Sequence, residues 1–369
     1  MDIFTKTYKN KTVLITGHTG FKGSWLSIWL NSIEANVVGI SVDITSTPSN
    51  FYASKISDTI IDYRIDILDK ELVQKIIHKH QPDFVFHLAA QALVRPSYEN
   101  PVETMMVNAI GTANVLEALR VLNKKVVAVM ITSDKAYDNV EWVWGYRESD
   151  RLGGKDPYSA SKGMAELAIR SYVESFFNGP DSNVRVGITR AGNVIGGGDW
   201  AIDRIVPDCM EAWASGETVD IRSPHATRPW QHVLEPLSGY LVLAADLAQS
   251  GKNHGEAYNF GPSADQTYPV SKLIDEMSTY WDQIRWNDIS NNKGHVHEAG
   301  LLKLNCDKAL FDLQWHSALQ FEETVKMTVE WYKSYYQNQE QSMYDFTIAQ
   351  IESYTKAAKL KGVSWASHD

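Results

Sequence analysis

The sequence predicts an α/β protein built on a doubly wound parallel sheet, with a smaller, loop-rich C-terminal lobe. Amphipathic segments near 21–33, 69–79, 101–122 and 158–178 alternate with apolar runs. The five runs are TVLIT (12–16), VVGISV (37–42), FVFHLA (84–89), VVAVMI (126–131) and VRVGIT (184–189). Strands that are apolar on both faces and alternate with helices are typical of a parallel sheet covered on both sides.

The regular alternation ends near residue 190, and this divides the chain. The next stretch, AGNVIGGGDWAIDRIVP, is rich in glycine, and SPHATRPWQHV (223–233) is dense in proline, histidine and arginine. We expect residues 1–190 to form the sheet domain, to which later segments return. Residues 191–369 should form mainly the substrate lobe, followed by surface helices near 319–337 and 342–360.

The composition excludes several classes of protein. The 369 residues carry a formal net charge of −10, whereas non-specific nucleic-acid binding requires a basic face. Cys209 and Cys306 form neither a disulfide framework nor a CxxC metal motif. No stretch approaches the roughly 18 apolar residues of a membrane span, and MDIFTKTYKN lacks the apolar core of a signal peptide. We therefore expect a cytoplasmic protein that binds neither nucleic acid nor membranes.

A glycine-rich loop, GHTGFKG, follows the first predicted strand and leads into a helical segment. Gly17, Gly20 and Gly23 permit a tight turn and a close approach to a pyrophosphate, to which the helix N-terminus presents N–H groups. Asp43 ends the second strand, where an acid bonds the adenosine ribose and repels a 2′-phosphate. This pattern predicts a Rossmann-like domain that binds NAD in preference to NADP. Lys22 argues against this preference for NAD, because a basic residue in this loop can pair with the 2′-phosphate of NADP.

The GxxGxxG spacing resembles that of the extended short-chain dehydrogenase/reductase superfamily. Two further segments extend the resemblance. At HLAAQ (87–91) the superfamily wraps its backbone around the cofactor, and YSASK (158–162) has the superfamily's Tyr-x-x-x-Lys spacing. The cofactor contacts that the resemblance implies are Gly17, His18, Gly20, Phe21, Lys22, Gly23, Asp43, Asp66, Leu88, Ala89, Ala90, Tyr158 and Lys162.

Tyr158 and Lys162 lie four residues apart and therefore share one face of a helix. An ammonium beside a phenol stabilises the phenolate, so we expect Lys162 to lower the pKa of Tyr158 from its usual value near 10. Tyr158 would then accept a proton from a substrate hydroxyl, and Lys162 would also hold the nicotinamide ribose. The resemblance implies that Ser133, at the end of the VVAVMI strand, shares that hydroxyl.

The segment MITSDKAYDN (130–139) adds Asp134 and Lys135 directly after Ser133. A second acid–base pair implies a second proton transfer. Nucleotide-sugar 4,6-dehydratases, which this segment resembles, carry Asp-Glu here: they oxidise C4, eliminate water across C5 and C6, and return the hydride to C6. The resemblance implies that Asp134 protonates the departing C6 hydroxyl. Lys135 replaces the glutamate. It either accepts the C5 proton as a neutral amine, or stays charged and stabilises the enolate or orients Asp134. A solvated loop lysine without a catalytic role is the remaining alternative.

The motifs GHTGFKGSW, SDK and GGGDWAIDRIVPD together resemble the dehydratases that act on CDP-glucose, over residues from about 10 to 335. The resemblance implies a homodimer built on the helices at 101–122 and 158–178, a role in deoxysugar synthesis of the O-antigen type, and no metal. The substrate contacts that it implies are Gln91, Arg95, Asn193, Arg204 and Arg228. Arg190 is a further cation that the sequence offers to the substrate.

Two other functions stay open on the sequence. A nucleotide-sugar C4 epimerase would use the same Ser133, Tyr158 and Lys162 but would have no need of Asp134 and Lys135. A regulator that binds NAD without turnover would have no use for a tuned phenolate.

Overall fold

A sheet of seven parallel strands forms the centre of the structure, a computed structural model that describes residues 2–44, 46–282, 284–290, 301–338 and 340–367. The strands in these ranges are β1 (Thr12–Thr16), β2 (Asn36–Ser41), β3 (Ile61–Arg64), β4 (Phe84–His87), β5 (Val126–Ile131), β6 (Val184–Arg190), β7 (Val194–Ile195), β8 (Val219–Ile221), β9 (Thr227–Arg228), β10 (Gln231–His232), β11 (Ala257–Asn259), β12 (Tyr268–Pro269) and β13 (Trp286–Asp288). The central sheet has the order β11-β6-β5-β4-β1-β2-β3, and the remaining strands form two-stranded pairs.

Helices cover both faces of this sheet. In the described ranges they are α1 (Ile3–Tyr8), α2 (Phe21–Ser32), α3 (Asn50–Ala53), α4 (Lys70–His80), α5 (Val94–Glu99), α6 (Pro101–Met105), α7 (Thr112–Arg120), α8 (Pro157–Tyr172), α9 (Ile205–Ala214), α10 (Leu234–Gln249), α11 (Val270–Met277), α12 (Asp307–Leu313), α13 (Phe321–Gln337) and α14 (Met343–Leu360). Short π-helical turns continue α6 through 106–111 and α8 through 173–177.

The two faces of the sheet form separate hydrophobic cores, because successive strand residues point to opposite sides. In β1, Val13 and Ile15 face a core that also contains the buried sides of α2, α10 and α14. Leu14 faces the other core, with α4, α7 and α8. This arrangement is the doubly wound parallel sheet that the alternation of strands and helices predicts, and the fold-class prediction is confirmed.

The structure adds two strands to the five predicted ones, and both lie at the edges of the sheet. β3 has the sequence IDYR and is half exposed, so it lacks the two-sided apolar run of a central strand. β11 has three residues and comes from the part of the chain after residue 190. The C-terminal helices are also more buried than the sequence analysis expected: Trp331 of α13 and Tyr354 of α14 are fully enclosed, and α14 packs against α2.

The carboxyl ends of the parallel strands meet at one edge of the sheet, and the loops that follow β1, β4, β5 and β6 all leave from that edge. Ligands of open α/β sheets bind there. Among the described residues, no helix combines the length and the apolarity that a membrane crossing requires.

Candidate active site

The glycine loop between β1 and α2 is packed too closely for side chains. Gly17 has a φ of +75°, and a Cβ there would lie 2.7 Å from the amide nitrogen of Ala89. A Cβ on Gly23 would lie 2.1 Å from the carbonyl oxygen of Gly17. Gly20 precedes α2, and no described side chain caps that helix, so N–H groups of its first turn are left for a ligand or water to bind. These residues fit the pyrophosphate of a dinucleotide.

His18 supports this loop from the β2 side. Its Nε2 lies 2.8 Å from Oδ1 of Asp62, and its ring packs so closely on Gly39 that a Cβ there would lie 2.3 Å from it. Burial lowers the pKa of His18, while Asp62 opposes this change. The imidazole is therefore engaged within the fold, and its contact with the cofactor stays a prediction.

Two exposed carboxylates follow the neighbouring strands β2 and β3. Asp43 accepts the N–H of Ile44 at 2.7 Å, and its carbonyl accepts the hydroxyl of Thr19 at 2.6 Å. Asp66 accepts the N–H of Leu68 at 2.9 Å. Because two carboxylates line this end of the sheet, a ligand with free ribose hydroxyl groups is favoured there over one that carries a phosphate.

The turn after β5 brings together the polar segment SDK. The hydroxyl of Ser133 donates to Oδ1 of Asp134 at 2.9 Å and accepts the N–H of Lys135 at 3.2 Å. Asp134 is 4% exposed and lies against Gly192, where a Cβ would fall 1.9 Å from its Oδ2. Lys135 is half-buried and forms no ion pair with any described residue. A buried acid thus lies beside a serine and a lysine at the carboxyl end of the sheet.

Tyr158 and Lys162 share one face of α8, and Nζ of Lys162 lies 5.9 Å from the centroid of the Tyr158 ring. Burial raises the pKa of Tyr158 to about 12, and hydrogen bonding to Ser133 opposes that rise. The sequence analysis expected Lys162 to lower this pKa, but in the protein without its ligands burial raises it, and the groups that oppose the rise are Ser133 and Arg204. Burial and the charge of Lys22 lower the pKa of Lys162 to about 8, and Glu166 opposes them.

Lys22 lies at the catalytic end of the cleft, not beside Asp43. Its Nζ is 3.5 Å from the hydroxyl of Tyr240. Burial and the charge of Arg204 lower the pKa of Lys22 to about 8, and the charge of Asp134 opposes them. Its role as a partner of a 2′-phosphate is therefore not supported. The sequence did contain a clue that Lys22 is unusual. It falls in the first turn of α2, where the helix macrodipole disfavours a cation.

A cavity opens beside Asp134 and is shared with the C-terminal lobe. Its walls are Asp134, Gly192 and Asn193 together with residues from the segments 229–231, 261–267 and 302–304. Asn193 has a φ of +53°. Sequence reasoning missed Gln231, whose Nε2 donates to the carbonyls of Gly192 at 2.9 Å and Phe260 at 3.0 Å. These bonds hold Gly192 against the carboxylate of Asp134.

Four predicted substrate contacts have partners within the protein. Arg204 pairs with Asp199 at 2.6 Å, and Arg95 pairs with Asp203 at 2.8 Å. The amide of Gln91 donates to the hydroxyl of Thr104 at 3.1 Å. Arg228, in β9, donates to the carbonyl of Thr227 at 2.8 Å. Arg190 is fully enclosed and paired with Glu166, which removes it from the cations that a substrate can reach.

Comparisons with known proteins agree with this geometry. The family described as GDP-mannose 4,6 dehydratase matches residues 14–328. A CDP-glucose 4,6-dehydratase from Salmonella typhimurium is 46% identical over 332 residues, which cover 89% of this chain and 92% of the relative. A dTDP-glucose 4,6-dehydratase from Haemophilus influenzae is 24% identical, over 87% of this chain and 97% of the relative.

Solved structures share the fold. A dTDP-glucose 4,6-dehydratase from Streptomyces venezuelae with NAD and TYD bound superposes with a TM-score of 0.72 at 23% identity, over 88% of this chain and 97% of the other. A UDP-glucose 4-epimerase from Thermotoga maritima with UDP-glucose superposes with a TM-score of 0.72 at 24% identity, over 88% of this chain and 99% of the other.

Proposed function

The chain belongs to the GDP-mannose 4,6-dehydratase family of the extended short-chain dehydrogenase/reductases, and from this premise we propose that it converts CDP-glucose to CDP-4-keto-6-deoxyglucose. The observation that carries the proposal is Asp134, a buried acid hydrogen-bonded to Ser133 beside the tyrosine–lysine pair. The reaction of a C4 epimerase includes no elimination of water and therefore no step that would use this acid. The 46% identity to a CDP-glucose 4,6-dehydratase, against 24% to a dTDP-glucose enzyme, supports cytidine as the base.

NAD is the cofactor that the site fits. The glycine loop and the N-terminus of α2 hold the pyrophosphate, Leu88, Ala89 and Ala90 supply backbone beside it, and Asp43 holds the adenosine ribose. Phe21 and Asp66 complete this half of the site, and His18 supports the glycine loop from the β2 side. Bound NAD supplies the hydride acceptor for C4 and the donor for C6. The sheet domain of residues 1–190 thus serves the cofactor, and residues 191–369 serve mainly the nucleotide sugar.

Tyr158 and Ser133 act at the C4 hydroxyl. As the C4 hydrogen leaves as hydride, Tyr158 takes the hydroxyl proton and Ser133 holds the oxygen by a hydrogen bond. Burial raises the pKa of Tyr158 to about 12 in the protein without its ligands, so Tyr158 takes this proton only after its phenol has lost its own proton, and positive charge nearby would favour that phenolate. Lys162, directly beneath the ring, stabilises that phenolate and holds the nicotinamide ribose.

Asp134 and Lys135 act in the elimination. The C4 ketone acidifies the C5 hydrogen, whose proton goes to Lys135 as a neutral base, or to solvent with Lys135 stabilising the enolate oxygen. Asp134 gives its proton to the C6 hydroxyl, the C6–O bond breaks, and water leaves. Hydride then returns to C6 and a proton to C5, so that the whole sequence removes one water with no net oxidation.

The diphosphate and the sugar are held by the lobe and by the loop after β4. Arg228 and Asn193 bind the diphosphate, and Arg204 lends a further positive charge from its pair with Asp199. Gln91, in the loop after β4, and Arg95, in the first turn of α5, lie toward the sugar end.

Exposed apolar side chains support a homodimer. Val102, Met106 and Ile110 recur every four residues on one helical face, and Met164 and Leu167 are exposed on α8. Val102 is 71% and Leu167 is 61% exposed. Pairing of these helices between two copies would cover both faces. Light scattering at micromolar concentration should give twice the monomer mass, and a monomer mass would overturn this assembly.

The function is tested by mixing the protein and NAD with CDP-glucose and following the alkaline absorbance of a 4-keto sugar. We expect this absorbance with CDP-glucose, and much less with the dTDP, UDP and GDP sugars. Formation of CDP-galactose without a 4-keto product would indicate an epimerase, and binding of NAD without any turnover would indicate a regulator. Competition by CDP, dTDP, GDP and UDP against bound substrate tests the choice of base separately.

A further inference from the structure

An ion pair lies fully enclosed directly behind the catalytic segments. Glu166 of α8 and Arg190 at the end of β6 are both 0% exposed, and their side chains meet in a fork: Nε of Arg190 donates to Oε1 of Glu166 at 2.6 Å, and the second amino group donates to Oε2. The mechanism proposed above assigns no role to either residue.

This pair is joined to the turn that carries the predicted acid and base. The hydroxyl of Thr132, which directly precedes Ser133, donates to Oε1 of Glu166 at 2.8 Å. On the other side, Nη1 of Arg190 donates to the hydroxyl of Tyr137 at 2.6 Å, and that hydroxyl donates to the side chain of Asn259 in β11 at 2.8 Å. Residues 133–136 are therefore held at both of their ends, by Thr132 and by Tyr137.

The same pair is joined to the helix that carries the tyrosine and the lysine. Glu166 lies four residues after Lys162, so the two side chains share a face of α8. Glu166 thus contacts the strand end through Thr132 and lies next to Lys162 on its own helix. A single buried carboxylate connects the segment that contains Ser133 and Asp134 to the helix face that contains Tyr158 and Lys162.

Stability alone does not explain why a chain buries such a pair. Replacing a buried ion pair by well-packed apolar residues is often neutral or stabilising, whereas removing one partner leaves an uncompensated charge and destabilises strongly. Apart from one bond from Nη1 of Arg190 to the carbonyl of Glu148, the pair's side-chain bonds go to Thr132 and Tyr137, which flank the catalytic turn. Such a pair gains its value from the geometry that it imposes there.

We propose that Glu166 and Arg190 are positioning residues, which hold the Ser133–Asp134 turn and the Tyr158–Lys162 helix face at the spacing that catalysis requires; this inference rests on the proposed function. The carboxylate of Glu166 has a second effect, because it raises the pKa of Lys162 against burial and against Lys22. The other groups that face Lys162 are Tyr158 on the same helix and His87 of β4, whose pKa burial and Lys162 lower to about 3, so that His87 is neutral.

The test separates position from stability. Glu166→Gln leaves Arg190 as an unpaired buried charge and is expected to fold poorly. The double variant Glu166→Leu/Arg190→Met replaces the whole pair by apolar side chains and should melt no lower than the wild type. We expect its kcat with CDP-glucose to fall roughly 10²-fold, the scale of a small misplacement of reacting groups, with KM nearly unchanged. The basic limb of its pH–kcat profile should move to lower pH, because Lys162 loses its proton more easily without Glu166.

Tyr137→Phe gives a milder version, since it removes one hydroxyl and leaves the pair in place. It should lower kcat by less than the double variant and leave the basic limb unmoved. Glu235→Gln is the matched control: Glu235 is a buried carboxylate whose hydrogen bonds go to other parts of the protein, the backbone of Ala318 and Leu319 and the hydroxyl of Tyr354. It should lower the melting temperature without changing kcat or the pH profile.

A stable double variant with wild-type kcat and an unmoved pH profile would overturn the positioning role. An equal loss of kcat in Glu235→Gln would also overturn it, because any core defect would then suffice. A wild-type protein that does not dehydrate CDP-glucose would instead refute the proposed function, so the two failures are distinguishable.

Discussion

The cofactor half and the substrate half of the cleft are built by different means. In the cofactor half, the loop from Gly17 to Gly23 is shaped by backbone packed on backbone, with no room for a Cβ at either end. In the substrate half, distant side chains determine the shape: Arg95 and Arg222 converge on Asp203, and Asn193 shares a cavity with Asp134. A local pattern can encode the first kind of site, whereas the second requires the whole fold.

The largest loss of activity is expected from a change in the substrate half, at Lys135. Lys135→Met removes the amine and keeps most of the apolar stem. Dehydration should fall about 10²–10⁴-fold, the scale of general acid–base catalysis, while oxidation at C4 continues and reduced cofactor accumulates with substrate. Stopped-flow absorbance of the reduced cofactor, together with exchange of the C5 hydrogen with solvent, measures both steps.

Lys135→Met with a near-normal rate of dehydration would make Lys135 a loop residue. Failure to form any reduced cofactor would place it in binding. The pH dependence of the C5 exchange distinguishes a neutral base, whose exchange rises with pH as the amine loses its proton, from a charged stabiliser, whose exchange falls.

In the cofactor half, a side chain added to the closely packed glycine loop should reduce both stability and NAD binding. Gly23→Ala places a Cβ 2.1 Å from a carbonyl oxygen that cannot move away freely, so we expect a stability loss of about 1–3 kcal/mol and greatly weakened NAD binding. Gly20→Ala is the matched control, because the nearest atom to its Cβ, in the same loop, is 3.3 Å away. Thermal unfolding without cofactor should separate the two variants, and equal melting temperatures would contradict the close packing.

The preference for NAD sharpens the comparison within the cofactor half. Asp43→Asn removes the charge that opposes a 2′-phosphate, and the ratio of NAD to NADP affinity should fall about tenfold, as for one charge-assisted hydrogen bond. Lys22→Met should leave that ratio unchanged, because Lys22 lies at Tyr240. Calorimetric titration of protein stripped of cofactor measures both. A wild-type protein that binds NADP as tightly as NAD would contradict the role of Asp43.

The smallest effect is expected at the ion pair between Arg95 and Asp203. Both side chains are partly exposed, and exposed pairs of this kind contribute little and are screened by salt. Asp203→Asn should change kcat/KM less than about fivefold, and the difference should vanish at high ionic strength. A large effect that persists in high salt would show that this bridge across the cleft is part of the site.

The sequence predicted those parts of the molecule that lie in short, regular segments. The central strands, the glycine loop and the segment YSASK could be interpreted locally, and the family resemblance is confirmed by the comparisons. The edge strands β3 and β11 were missed because they are short and lack two-sided apolar runs. The roles of the individual site residues stay predictions.

The remaining differences come from long-range contacts. Nothing near Arg190 in the sequence reveals that Glu166, on a helix, neutralises it inside the protein. The direction of Lys22 depends on Tyr240, more than two hundred residues away. The pKa of Tyr158 depends on burial by several elements, which the Tyr-x-x-x-Lys spacing alone does not encode.

The most direct test of the account follows the hydrogen at C4. CDP-glucose carrying deuterium at C4 is incubated with the protein and NAD in ordinary water, and the product is analysed by NMR. The account predicts deuterium at C6 and a ketone at C4. Deuterium that stays at C4 of a product with inverted configuration, or substrate recovered unchanged, would contradict it.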